Sequence, residues 1–273
     1  MRLVADLPRP DRDRLSTMGA LVLLAIGLVR VVSLPTLPVE FAALGLLIRI
    51  ELNSAFVLIL LAGAVSVAGA DWLARTHPRP PRGWARLETI LIPGLATLAA
   101  GAVLTPIEPG PALWIGLLSA ASGLMAILVA EFAVIDPADP RREAASLALT
   151  VLAQVLLTGV YFALFSLGVR AVFTAPLSFL ATAAVSWRLL RLRLPEAHPG
   201  VYAVAIGAAI AEVAWGLYYW PWSPAQTALL LGLLAYVAIQ AIGAHLQERL
   251  TGRRAMEYAI VTAVGLTAVV LLG

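Results

Sequence analysis

Long apolar runs, each about the length of a membrane-crossing helix, alternate with clusters of arginine along nearly the whole chain. A helix rises about 1.5 Å per residue and the hydrocarbon core of a bilayer is about 30 Å thick. About 20 mostly apolar residues therefore cross it. Runs of this kind fall at 15–34, 54–73, 89–105, 112–135, 145–169, 173–190, 201–220, 226–246 and 255–272. At 61% hydrophobic and 13% charged, the chain has about half the charge density of an ordinary soluble domain. The fold class expected is an all-α integral membrane protein, a polytopic bundle of about nine transmembrane helices in a single domain over 1–273.

The arginines set an orientation. All nineteen basic residues are arginine, and sixteen of them lie in alternate breaks between the runs. Arg2, Arg9, Arg12 and Arg14 precede the first run, and Arg75, Arg79, Arg82 and Arg86 follow the second. Arg141 and Arg142 follow the fourth, Arg188, Arg191 and Arg193 close the sixth, and Arg249, Arg253 and Arg254 follow the eighth. Basic residues accumulate in cytoplasmic loops, so the amino-terminal segment 1–14 is expected inside and the carboxyl terminus outside. The net charge of +3 comes from arginines at helix ends, where topology requires them, and gives no sign of nucleic-acid binding. The first run is too long for the apolar core of a cleavable signal and is read as a retained span.

Segment 35–53 interrupts the pattern. Pro35 and Pro38 end the first run, and Leu47-Ile48-Arg49-Ile50-Glu51-Leu52 alternates apolar and charged residues with period two. That period predicts an extracellular hairpin, with an interfacial amphipathic segment as the alternative. A tenth span here would put Glu40, Arg49 and Glu51 in lipid and scramble the arginine alternation.

Short matches recur at a spacing of about four runs. Trp72-Leu-Ala-Arg-Thr-His77-Pro78 and Leu192-Arg-Leu-Pro-Glu-Ala-His198-Pro199 follow the second and sixth runs. Ile115-Gly-Leu-Leu and Leu231-Gly-Leu-Leu lie in the fourth and eighth, and arginine pairs precede the fifth and ninth. One extra helix followed by two parallel four-helix repeats, 54–169 and 173–272, would produce this spacing.

Glu212 is the most constraining ionisable residue. It lies eight residues before Trp220, about 12 Å below the outer interface by helical rise. A charge at that depth costs a few kcal/mol unless it is neutralised or paired. Ala205, Ala208, Ala209 and Gly216 share its helical face, and small residues admit a second helix, so this face is expected to be packed. Arg30, four residues from the end of the first run, is the partner expected for it. A register-fixing role and a proton- or ion-moving role are both open for the pair, as is Arg30 reaching the interface alone with Glu212 neutral. Gln154, Tyr161, Tyr236 and Gln240 are mid-span polar groups, suited to interhelical hydrogen bonds or to a pathway. Trp215, Tyr218, Tyr219, Trp220 and Trp222 have the composition of an interfacial aromatic belt.

Chemistry is bounded mainly by exclusion. With no cysteine and no lysine, thiolate nucleophiles, cysteine metal sites and lysine Schiff bases do not arise. His77, His198 and His245 are candidate metal ligands, but none stands in a ligand-spacing motif, and no metal site is expected. Neither a Gly-x-Ser-x-Gly elbow, a His-Glu-x-x-His pair, a Walker loop nor a dinucleotide glycine fingerprint occurs. No catalytic residue and no cofactor is expected.

The stretch Gly69-Ala-Asp-Trp-Leu-Ala-Arg-Thr-His-Pro78, with Leu91-Ile-Pro93 and Tyr219-Trp-Pro-Trp222, resembles a family of uncharacterised bacterial multi-span membrane proteins. The resemblance implies a bacterial inner-membrane location and carries no established activity. The function expected is a non-catalytic, membrane-embedded accessory or scaffold component, with the lipid bilayer and other membrane-protein subunits as partners. A small-solute or ion transporter using Arg30 and Glu212 is the alternative, and an intramembrane enzyme the third reading.

Overall fold

The computed structural model describes residues 10–29, 32, 35–43, 46–194 and 199–272, with the backbone alone over 37–43 and 46–52. Nine helices occur among these residues: α1 (Arg12–Leu28), α2 (Ser54–Ala74), α3 (Trp84–Leu104), α4 (Pro111–Val134), α5 (Arg142–Ser166), α6 (Ala171–Arg193), α7 (Gly200–Tyr218), α8 (Pro224–Leu246) and α9 (Gly252–Leu271). Eight of them, α2 to α9, are long and apolar enough to cross a bilayer. The described part of α1 has 17 residues, about 25 Å by helical rise, and falls short of that length.

Polar caps explain where several helices begin. The Asp11 carboxylate accepts the N–H groups of Asp13 and Arg14 at 3.0 and 3.4 Å, opening α1. Asn53 accepts the Phe56 N–H at 2.8 Å. At α8, Ser223 and Gln226 form a reciprocal capping box with Pro224 in the first turn, where a missing N–H costs nothing. At the end of α5, Gly168 takes a left-handed φ of 62°, and the Val169 N–H returns to the Leu164 carbonyl at 3.2 Å. Glycine at that position ends a helix without a Cβ clash.

Segment 35–53 contains two antiparallel strands, β1 (Leu37–Ala43) and β2 (Leu46–Leu52). Their register runs from Leu37 opposite Leu52 to Ala43 opposite Leu46, and sets Glu40 opposite Arg49. Of the two structures left open by the period-two alternation, the backbone adopts the paired one.

The chain divides into two compact units, Met1–Ile135 and Asp136–Gly273. The boundary falls between α4 and α5, so α5, the last run of the expected repeat 54–169, packs with the second unit. In the first unit α2 packs most extensively on α3, and α4 closes back on α1. Glycines permit the approach: a Cβ on Gly63 would lie 2.7 Å from Leu98 Cδ2, and one on Gly94 would lie 2.6 Å from Val67 Cγ2. Ser66 Oγ donates to the Pro93 carbonyl at 3.0 Å, and Thr97 donates to the same oxygen at 3.1 Å. Met18, Val22 and Ile26 of α1 pack with Leu73, Leu124 and Leu128 in its core.

The second unit repeats this order of neighbours. Here α6 packs most extensively on α7, α8 closes back on α5, and α9 adds to α8. Leu149, Ala153, Leu157 and Tyr161 form a four-residue-spaced line on α5 with no exposed surface. Leu147, Val151 and Val155 face outward on the same helix, where lipid takes the place of a core.

Candidate functional site

Glu212 lies in the second half of α7. Ala203, Ile206, Gly207, Ile210 and Ala214 form the packed side of this helix. The opposite side, Ala205, Ala208, Ala209, Glu212 and Gly216, is exposed. The small-residue face expected to meet another helix is thus open within its own unit, with the carboxylate at its centre. The helix rotates its glycine and isoleucines toward α6 instead, because Gly207 allows the closer approach. Arg30, the partner expected for Glu212, lies outside the described residues. Nearer the end of α7, Trp215, Tyr219 and Trp220 are exposed. The Tyr218–Tyr219 and Trp220–Trp222 ring pairs have centroids 5.4 and 6.4 Å apart.

The mid-span polar residues separate into two groups. Gln154 Nε2 on α5 donates to the Gly232 carbonyl of α8 at 2.6 Å. The Tyr161 hydroxyl is fully buried against Thr182 Oγ1 of α6 at 2.6 Å. Thr182 in turn donates to the Ser178 carbonyl. These bonds tie α5 to α8 and to α6, and they act as interhelical links.

Tyr236 and Gln240 belong to a different group. Gln240 Oε1 accepts from Arg193 Nη1 at 2.8 Å, and its backbone carbonyl accepts from the Tyr258 hydroxyl at 3.4 Å. Arg193 and Tyr258 carry no signal of this role in the sequence. Arg193 sits among the arginines of a helix end, and only the rotation of α6 against α8 turns it inward. The sequence carries one further pattern, Thr174, Ser178, Thr182 and Ser186 on α6, one hydroxyl every four residues, all buried. It marks the face of α6 that packs inside the unit.

Several charged residues near the helix ends are paired. Asp71 accepts from Arg75 Nε at 2.9 Å and from Arg86 Nη2 at 2.7 Å. Glu257 meets Arg253 at 3.2 Å. The Arg14 guanidinium lies over the Trp72 ring, 4.5 Å from its centroid. Glu88 and Glu131 are buried in the first unit, and Glu131 lines a void of about 10 Å³ with Thr89 and Phe132. That volume is about the size of one water.

His77 and His245 belong to different units of the chain. His77 is buried, its Nδ1 accepts the Arg79 N–H at 3.0 Å, and its ring meets Phe132 edge-on at 4.8 Å. An accepting Nδ1 places the ring proton on Nε2 in the neutral tautomer. His245 is exposed on α8, and His198 lies outside the described residues. Among the described residues, no three histidine or acidic side chains gather as metal ligands would.

Eight apolar helices of crossing length, joined by short polar connections and held by interhelical hydrogen bonds, define a polytopic helical membrane protein. No curated protein and no solved structure matches the chain. Residues 34–272 match a family model described as "Protein of unknown function (DUF5656)", and the chain belongs to that family.

Proposed function

We propose that this chain is a non-catalytic, membrane-embedded accessory or scaffold component that receives a partner subunit on the exposed α7 face around Glu212. The supporting observation is the position of that carboxylate. It stands open within its unit, on a face of alanine and glycine in a membrane-crossing helix. An ionised group facing lipid near the centre of a span costs about 3 kcal/mol on insertion scales. A lipid-facing surface gains nothing from small residues, whereas a docking helix gains close backbone approach. The partner that fits is a transmembrane helix with an arginine, lysine or amide donor at the matching depth.

The same proposal places the chain in a bacterial inner membrane, amino terminus inside and carboxyl terminus outside, on the arginine alternation alone. Thiol accessibility from each side, measured for single cysteines at Arg82 and Trp222, reads that orientation directly.

The absence of native cysteine makes the docking face testable by site-directed photo-cross-linking. An Ala208→Cys variant carrying a benzophenone label should give one discrete protein adduct in native membranes. The adduct should weaken when Glu212→Ala is added. Adducts with lipid alone would count against the docking face. A double-mutant cycle supplies the decisive alternative: strong coupling between Arg30→Gln and Glu212→Gln in unfolding assigns the cover to the chain's own first segment and removes the partner.

A further inference from the structure

Arg193 is the last residue of α6. An arginine there ordinarily carries its charge outward into water along its aliphatic stem. This one turns back against α8, half-buried, with Nη1 on Gln240 Oε1 at 2.8 Å. Gly243 makes the room, since a Cβ there would lie 3.1 Å from Nη1. The phenols of Tyr258 and Tyr236 are within electrostatic range of the guanidinium. Gln240 lies six residues before the end of α8, and Tyr258 six residues after the start of α9. Both are therefore about 9 Å inside their helix ends by rise, which sets the depth of the charge.

A guanidinium offers five N–H donors and its charge cannot be released in a protein. Among the described residues Arg193 donates to one amide oxygen and enters no ion pair. The carboxyl ends of α6 and α8 supply only about half a negative charge each, fading within a turn. Glu257, the acid closest in sequence to Tyr258, is engaged with Arg253. Among the described residues no carboxylate pairs with this half-buried cation, which leaves guanidinium donors for an oxyanion.

We propose that the corner between α6, α8 and α9 binds a phosphate oxyanion, and that its source is the headgroup of an anionic phospholipid. The remaining guanidinium donors and the Tyr236 hydroxyl match phosphate oxygens. Basic pockets between transmembrane helices commonly hold acidic headgroups. Val261, one turn beyond Tyr258 on the same side of α9, is exposed, an apolar surface suited to an acyl chain and of no use to free phosphate.

The test uses the full chain in nanodiscs of phosphatidylcholine alone, of phosphatidylcholine with phosphatidylglycerol, and of phosphatidylcholine with inorganic phosphate in solution. Phosphatidylglycerol should raise the thermal unfolding temperature of the wild type. Most of that rise should be lost in Arg193→Gln and retained in the exposed control Arg253→Gln/Arg254→Gln. A rise reproduced by inorganic phosphate would keep the oxyanion site but overturn the lipid source. If Arg193→Gln does not fold, Gly243→Ala, which presses on Nη1, and Tyr236→Phe should each diminish the rise. A full rise in the variants at this corner, or no rise in the wild type with either anion, would overturn the site.

Discussion

Gly207 offers a test of whether α6 and α7 are as closely apposed as the structure has them. A Cβ at this position would lie 2.9 Å from the Phe179 carbonyl oxygen and 3.0 Å from Ala183 Cβ. Ordinary contact begins at 3.4 Å, so Gly207→Ala demands that the helices separate by about half an ångström. The oxygen belongs to backbone and cannot rotate away, and the separation disturbs the most extensive helix pair in the unit. Overpacking of this kind costs about 1–3 kcal/mol. Alanine for glycine in a helix interior returns about 1 kcal/mol. The balance is a destabilisation of up to about 2 kcal/mol. Gly159 on α5 is the control: a Cβ there meets nothing within 4 Å, so Gly159→Ala should stabilise by about 0.5–1 kcal/mol. Thermal unfolding of both variants in the same nanodiscs reads the difference in sign. Equal stabilisation by the two substitutions would show that α6 and α7 do not approach so closely.

Two further outcomes follow from individual contacts. Tyr161→Phe should cost about 0.6 kcal/mol, the mean for an interhelical hydrogen bond in a membrane protein, because Thr182 keeps its bond to the Ser178 carbonyl. Thr182→Ala should cost about 1–3 kcal/mol because it strands a fully buried phenol; equal losses in unfolding would argue against the pairing. Arg14→Gln should cost about 0.5–1 kcal/mol through the lost cation–π contact with Trp72, and Trp72→Leu should abolish that difference in a double-mutant cycle.

Helix ends show where hydropathy reads well and where it does not. The run expected at 54–73 is the helix Ser54–Ala74, since an asparagine cap and an arginine cluster mark its ends. The run expected from 89 begins at Trp84, because Arg86 and Glu88 look like loop residues on an apolarity scale. In the folded chain Arg86 is satisfied by Asp71, from the neighbouring helix, and Glu88 is buried. The run expected to end at 190 continues to Arg193 for the same reason: its arginines look like a loop but remain helical.

The candidate sites were legible as residues and illegible as constellations. Gln154, Tyr161, Tyr236 and Gln240 stand out as polar groups within apolar runs, and all four lie within helices. Their partners do not stand out: the Gly232 carbonyl carries no side-chain signal, and Thr182 is one hydroxyl in a row of four. Arg193 belongs by sequence to a topology-setting cluster, and only the structure turns it toward Gln240.

Sequence by itself determined the membrane class, the helical runs and the alternation of arginine, because each depends on bilayer thickness and on transfer energies that act residue by residue. Tertiary structure alone decided which side of each helix is packed. Lipid is as apolar as leucine, so rotation of a membrane helix is not set by hydrophobic patterning. It is set by where glycines admit a neighbour and where polar groups find a partner. For α7 that rule buries Gly207 against α6 and leaves Glu212 open.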